Sequence, residues 1–196
     1  MLRVQGAHTF SRGTVRSDTD LKTLNGTTLA SNQSFKFNEL ESYTEFTTLF
    51  ESYRIRKIVV TVQLVTNPNC STSLNSTVTA NPSNFFPKIW YAVDHDGGDD
   101  DTISSMKQRQ GVKCRILQPN KVVKISFKPM CRVQTYKTAT TSGTGSRNLK
   151  VDMADVDVPH YGLTWVLDTN LLDPSDTYPF RVMFEYKYYF TCYGVR

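Results

Sequence analysis

Histidine is scarce in this chain: His8, His95 and His160 are the only three among 196 residues. No Cys or Ser stands in a nucleophile motif, and Gly143-Thr-Gly-Ser lacks the G-K-[ST] that a phosphate loop requires. Acid/base catalysis has one place to start, His95 between Asp94 and Asp96, where a plain surface histidine is the simpler expectation. Cysteine is sparse too. Cys70, Cys114, Cys131 and Cys192 are dispersed without a C-x-x-C pair, so free buried thiols and a reducing compartment during folding are expected. No apolar run reaches about 18 residues, so no membrane-spanning helix is expected and no membrane partner is assigned. Met1-Leu-Arg-Val-Gln-Gly-Ala-His has no apolar stretch of signal-peptide length, and no secretory leader is expected. Without one, the N-x-[ST] matches at Asn25, Asn32, Asn69 and Asn75 read as chance. A βαβ rhythm and internal repeats are missing as well.

What the chain does have is aromatic and β-branched side chains, with 10 Tyr and 11 Phe. Tyr53-Arg54-Ile55-Arg56-Lys57-Ile58-Val59-Val60-Thr61-Val62-Gln63-Leu64 is a strand whose alternation changes phase. Tyr53 and Ile55 are odd, whereas Ile58, Val60, Val62 and Leu64 are even. One face can bury both sets only with a β-bulge near Arg56-Lys57, which would aim one or both cations out of the sheet. The last strand is clearer. Phe180, Val182, Phe184, Tyr186, Tyr188, Phe190 and Cys192 share one face, and Arg181, Glu185, Lys187 and Thr191 the other.

Shorter strands are expected over 33–38, 87–94 (Ile89, Tyr91 and Val93 in phase) and 161–168. Val112–Gln118 and Lys121–Lys128 flank Pro119-Asn120 as a hairpin. Ser42 and Glu45 have capping-box spacing ahead of a stripe of Tyr43, Phe46, Leu49 and Phe50, a short helix. Asp101 is placed to cap a second helix carrying Ile103 and Met106. Residues 1–32 are polar and should form a weakly structured arm with at most one short strand, ahead of a single domain over 33–196. Long loops are expected at 67–87 and 138–148. The pattern is all-β: a single jelly-roll antiparallel β-sandwich of about eight strands, with long loops and one or two short helices.

The charges, net +5, are sorted into blocks. Five Asp lie in 94–101; eleven Lys and Arg with no acid lie in 102–151; six Asp with no base lie in 152–176. Asp94, Asp96, Asp99 and Asp101 are oxygen ligands of the kind calcium takes, but the spacing departs from an EF-hand, and no metal or other cofactor is assigned. If the 112–128 hairpin faces one core, Lys113, Arg115, Lys124 and Lys128 project together from the opposite face, with Arg132 extending the row. Such a patch suits phosphates. A solvated sheet face, or a partner for another subunit's acidic block, are the alternatives. Trp90 and Trp165 lie in strands and are expected in the core.

Three pieces of sequence, in order, resemble the capsid proteins of circoviruses and circovirus-like viruses. They are Phe50-Glu-Ser-Tyr53-Arg-Ile-Arg-Lys57-Ile with its hydrophobic continuation, Phe127-Lys-Pro129, and His160-Tyr-Gly162-Leu followed by Tyr178-Pro-Phe-Arg181-Val-Met-Phe. Trp90-Tyr-Ala-Val-Asp94-His-Asp96 is similar to a motif in related circular-genome viruses. The resemblance implies a jelly-roll coat subunit that assembles with itself into an icosahedral T=1 shell around circular single-stranded DNA, without catalysis. It implies a place in the virion and, during assembly, in the host nucleus. It also implies an Arg-rich N-terminal arm, whereas this chain carries Arg3, Arg12 and Arg16 there. On this reading Lys113, Arg115, Lys124, Lys128, Arg132, Arg12 and Arg16 would contact nucleic acid. Arg54, Arg56, Lys57, Asp152, Asp155 and Asp157 would serve assembly. The rival readings are a lectin-like or receptor-ligand-like jelly-roll module using the 67–87 loop, and a metal-dependent enzyme centred on Asp94, His95 and Asp96.

Overall fold

The structure is a computed structural model that describes residues 7–14, 21–23, 28–66, 86–97, 102–118, 121–137, 142–168 and 180–196. Most of the expected 67–87 loop, Cys70, Arg16, Asp99 to Asp101 and Pro119-Asn120 lie outside them. The elements run β1 (Ala7–Thr14), β2 (Leu21–Thr23), β3 (Leu29–Phe35), a 3₁₀ turn (Phe37–Glu39), α1 (Tyr43–Leu49), β4 (Phe50–Thr66), β5 (Lys88–Ala92) and α2 (Ile103–Gln108). They continue with β6 (Lys113–Ile116), β7 (Val122–Phe127), β8 (Met130–Lys137), β9 (Ser142–Arg147), β10 (Val151–Asp152), β11 (His160–Asp168) and β12 (Phe180–Val195).

These strands form two antiparallel sheets, each of six strands. In the first, β12 and β4 pair along nearly their whole lengths. β1 and β2 lie end to end on the free side of β12, and β7 and β10 on the free side of β4. In the second, β11 pairs with β3 on one side and with β5 and β8 on the other; β6 and β9 form the outer strands. Between the sheets lies one core. Trp165 of β11 stacks on Phe184 of β12 at 4.7 Å, and Phe37 stacks on Tyr53 at 4.3 Å. Buried tyrosines keep their hydroxyls satisfied: Gln33 Nε2 donates to Tyr186 Oη at 2.6 Å, and Tyr188 Oη donates to Glu39 Oε2 at 2.7 Å. Gly162 is required because a Cβ there would meet the Phe127 ring at 2.5 Å.

The bulge is present where the phase change placed it. Tyr189 pairs with Lys57 and Phe190 with Ile55, so Arg56 is the extra residue, and Tyr53, Ile55, Ile58, Val60 and Val62 all reach the same core. The even residues of β12 are buried as expected from Val182 to Cys192.

Several expectations are corrected. The polar N-terminal segment forms β1, β2 and the start of β3. β1 matches β12 residue for residue from Ala7–Tyr193 to Thr14–Tyr186, because its backbone completes an edge and Phe10 packs on Phe190 and Phe46. The 32/33 boundary therefore falls inside β3. The 112–128 hairpin does not form: β6 pairs with β5 in the second sheet and β7 with β4 in the first. Leu117, fully buried and donating its N–H to the Pro87 carbonyl at 2.8 Å, anchors the chain before it crosses over. Cys114 stands opposite Trp90, and Val112 packs with Ala92, Met106 and Val166, so β6 turns its apolar side toward α2. Part of the expected 138–148 loop is β9, recruited by the backbone ladder of β8.

Helix α1 is there, but Ser42 sits at φ 58°, left-handed, and its side chain makes no cap. Glu39 makes the reach that Glu45 was expected to make, accepting from the Lys36 N–H at 3.0 Å. Thr102, rather than Asp101, caps α2 by accepting from Ser105 N–H at 3.1 Å. Leu49 and Val93, expected inside, are 54% and 52% exposed, since each comes where its element ends and the alternation breaks. Trp165 is core, whereas Trp90 is half-buried on the α2 side of its sheet.

Candidate assembly and nucleic-acid surfaces

The crossover between sheets separates the cations expected to form one patch. Lys124 projects from the outer face of the first sheet, opposite Thr61, and Lys128 follows β7 in an exposed turn. Lys113 and Arg115 lie on β6, the outer strand of the second sheet, and Arg132 on β8 opposite Ser146. All five are exposed. Arg12 is exposed on β1, its guanidinium 5.7 Å from the centre of the Phe46 ring.

Arg54, Arg56 and Lys57 do come together, at the bulge of β4. Arg54 is opposite Thr191. Arg56 donates from Nε to Thr191 Oγ1 at 3.3 Å and from Nη2 to Tyr193 Oη at 2.6 Å. Lys57 Nζ stands 5.4 Å over the Tyr189 ring. The acidic segment lies at this same end of β4, because β10 pairs Val151 with Tyr53 and Asp152 with Ser52. Asp152 accepts from Ala154 N–H at 2.8 Å, and Tyr53 Oη donates to the Asp155 carbonyl at 3.0 Å. Asp152, Asp155 and Asp157 are all exposed.

Two residues on the outer face of the first sheet escaped the sequence reading, Tyr189 and Tyr193, and Lys187 and Lys150 stand against them. Lys187 Nζ is 5.5 Å from the Tyr189 ring centre, and Lys150 Nζ is 4.9 Å from that of Tyr193. The signal was available in the odd row of β12, where Tyr189 and Tyr193 are out of phase with the core aromatics.

Asp94 belongs to a structural cluster. It is buried, with Arg109 Nη1 3.2 Å from Oδ2 and Asp96 N–H donating to Oδ1 at 3.1 Å. Burial raises its carboxyl above the usual range despite Arg109. Ser146 Oγ donates to the His95 carbonyl at 2.8 Å, tying β9 to this turn. Among the described residues, no group of three or more His, Cys, Asp or Glu is placed to hold a metal ion.

In structure the chain is similar to the BFDV capsid protein in its 60-mer form, at TM-score 0.65 and 14% identity over 97% of this chain and 95% of that one. It is similar to tobacco necrosis virus protein at TM-score 0.54 and 6% identity, with 97% of both chains covered. Cucumber necrosis virus gives TM-score 0.53 at 11% identity, over 97% of this chain and 57% of that one. These likenesses carry the fold, a viral jelly roll. No curated protein matches the chain in sequence. The family model for the circovirus capsid protein matches residues 1–196, and the chain belongs to that family.

Proposed function

We propose that this viral capsid protein works as the repeating subunit of an icosahedral T=1 shell that encloses a circular single-stranded DNA genome. Its partners are copies of itself and that genome, in the virion and, during assembly, in the host nucleus. The observation that carries the reading is the whole-chain family match on a two-sheet sandwich that superposes on a capsid protein from a 60-mer. The role is structural, and no catalytic residue is assigned. Closed symmetry turns one weak contact, repeated, into a shell. Asp152, Asp155 and Asp157 form the acidic half of an inter-subunit contact whose basic half comes from the cation-rich strands of a neighbour. Such complementarity sets register more than it adds affinity.

Lys124 and Lys128, with Lys113, Arg115, Arg132, Arg12 and Arg16, serve the genome by charge. Because β6 and β7 lie in different sheets, they do so as separate contacts rather than one ribbon. Sedimentation and negative-stain microscopy of the purified protein test the coat reading: uniform particles are expected, and a chain that stays monomeric under assembly conditions overturns it. Lys124→Glu with Lys128→Glu should yield particles that retain less nuclease-protected DNA. Wild-type DNA content in normal particles would remove these two lysines from the genome contact.

A further inference from the structure

We infer that the outer face of the first sheet is a platform for single-stranded nucleic acid, on which Tyr189 and Tyr193 receive bases and the cations around them receive phosphates. This rests on the coat-subunit reading and names a surface and a mode of contact for it. The even residues of β12 fill the core, so Arg181, Lys187, Tyr189, Thr191 and Tyr193 stand on the opposite face. Direct pairing brings Lys57 beside Tyr189 and Arg54 beside Thr191, and Lys124 joins them across Thr61. With Arg56 and Lys150, the cations named on this face are seven: Arg54, Arg56, Lys57, Lys124, Lys150, Arg181 and Lys187. Among the described residues, the face holds two carboxylates, Glu185 and Asp152, and one oxygen of Asp152 is taken by Ala154 N–H. A polyanion is the complementary partner.

The tyrosines decide which polyanion. Both are half-buried, in one row about 13 Å apart at strand spacing. Their ring faces are covered by ammonium groups: Lys57 and Lys187 at 5.4 and 5.5 Å on Tyr189, and Lys150 at 4.9 Å on Tyr193. Lysine is a mobile point charge on a flexible stem, so an arriving phosphate draws it off the ring and uncovers an aromatic surface. Stacking a base there outweighs the exposed cation–π contact it replaces. Arg56 behaves differently. Held at the bulge by two hydrogen bonds, it fixes the Tyr193 hydroxyl and keeps that ring in place. A duplex offers phosphates without open base faces, and a sulfated glycan offers charge without a π-face. Only an unpaired strand uses both features.

The test measures binding of full-length protein to a fluorescent oligo-dT strand of about 16 nucleotides, one to a few binding-site lengths. An abasic strand with the same phosphates, a duplex and heparin are run beside it, at about 0.15 M ionic strength. Oligo-dT should bind about tenfold or more tighter than the abasic strand. Tyr189→Leu with Tyr193→Leu should abolish that difference, bringing oligo-dT down to the affinity of the abasic strand. Lys187→Ala should weaken both strands and lower the salt slope by about 0.7. If the tyrosine variant fails to fold, the wild-type dT-to-abasic ratio and the Lys187→Ala salt slope still decide. Equal affinity for dT, abasic strand and heparin overturns the inference. So does unchanged dT binding in variants whose shells fail to form, which would make this face an interface between copies. Sedimentation of the same samples keeps the two readings apart: dT-selective binding without shells sinks the coat reading alone, and shells without dT selectivity sink this one alone.

Discussion

At the scale of single residues, the bulge shows how one insertion creates needs that another residue meets. Putting Arg56 outside the ladder lets Tyr53 and Ile55 share a core with Ile58, but it disturbs pairing beside Ile55. Asn148 answers this: its Nδ2 donates to the Ile55 carbonyl at 2.7 Å and to the Pro129 carbonyl at 2.8 Å. Both bonds use the amide nitrogen, so an acceptor in its place would be repelled. Asn148→Ala is expected to lower unfolding free energy by about 1–3 kcal/mol, the cost of buried acceptors left without a donor. Asn148→Asp should cost more than Asn148→Ala. Denaturant titration reads both, and a change under about 0.5 kcal/mol for each would mean that water replaces the side chain at no loss. The buried thiols are quiet by comparison. Burial pushes Cys131 up to about 11 and Cys192 up to about 12, so both are protonated and poorly nucleophilic near neutral pH.

At the scale of elements, the long strands could be read from sequence because burial alone dictated their alternation. β4, with its bulge, and β12 are the clearest cases. β6 and β7 could not be read the same way. Each alternates, but alternation reports that one face is covered and not by what: β6 is covered by α2 and β7 by the opposite sheet. A turn signal between two strands likewise fits a crossover as well as a hairpin, and the dispersal of the expected cationic patch follows from that. β1 and β9 were hidden for another reason. Apart from Phe10, which packs on the core, their residues are small or polar, and it is the backbone ladder that recruits them. The candidate site was legible in its charges and illegible in its neighbours. Arg54, Arg56 and Lys57 stood out, while Tyr189 and Tyr193 merged into an aromatic run. β1 also guards an edge. Without it, the β12 backbone from Tyr186 to Tyr193 would present open hydrogen-bonding groups, and Phe190 would lose its Phe10 cover. Deleting residues 1–14 should therefore lower thermal stability and produce irregular aggregates, seen by light scattering. A truncated chain as stable and as monodisperse as the full one would show that β1 is dispensable.

At the scale of the whole molecule, the two sheets meet over a residue whose charge state is set by the fold. His160 opens β11, pairs with Phe35 of β3 and Cys131 of β8, and lies 6.0 Å from the Tyr53 ring of the other sheet. It is fully buried, and its Nδ1 is 2.9 Å from the Val158 carbonyl. Burial lowers its pKa below the ordinary 6.5, outweighing backbone carbonyls and the more distant Glu39, which act the other way. The sign follows. Below about 6.5 the unfolded chain takes up a proton that the folded chain refuses, so the native state loses stability as pH falls from that value toward the folded pKa. Asp94, raised by burial, works oppositely, favouring the folded state as it protonates. The histidine's share is isolated by comparing the protein with His160→Gln, which keeps a polar side chain but cannot ionise. Denaturation midpoints measured from pH 7.5 to 5 should fall for the parent protein and stay flatter for the variant, with most of the difference arising below about 6.5. Parallel curves would place the acid sensitivity in the surface carboxylates instead. A shell built from this subunit would carry one such buried imidazole in every copy, so even a modest loss per subunit on acidification would act on all of its contacts together.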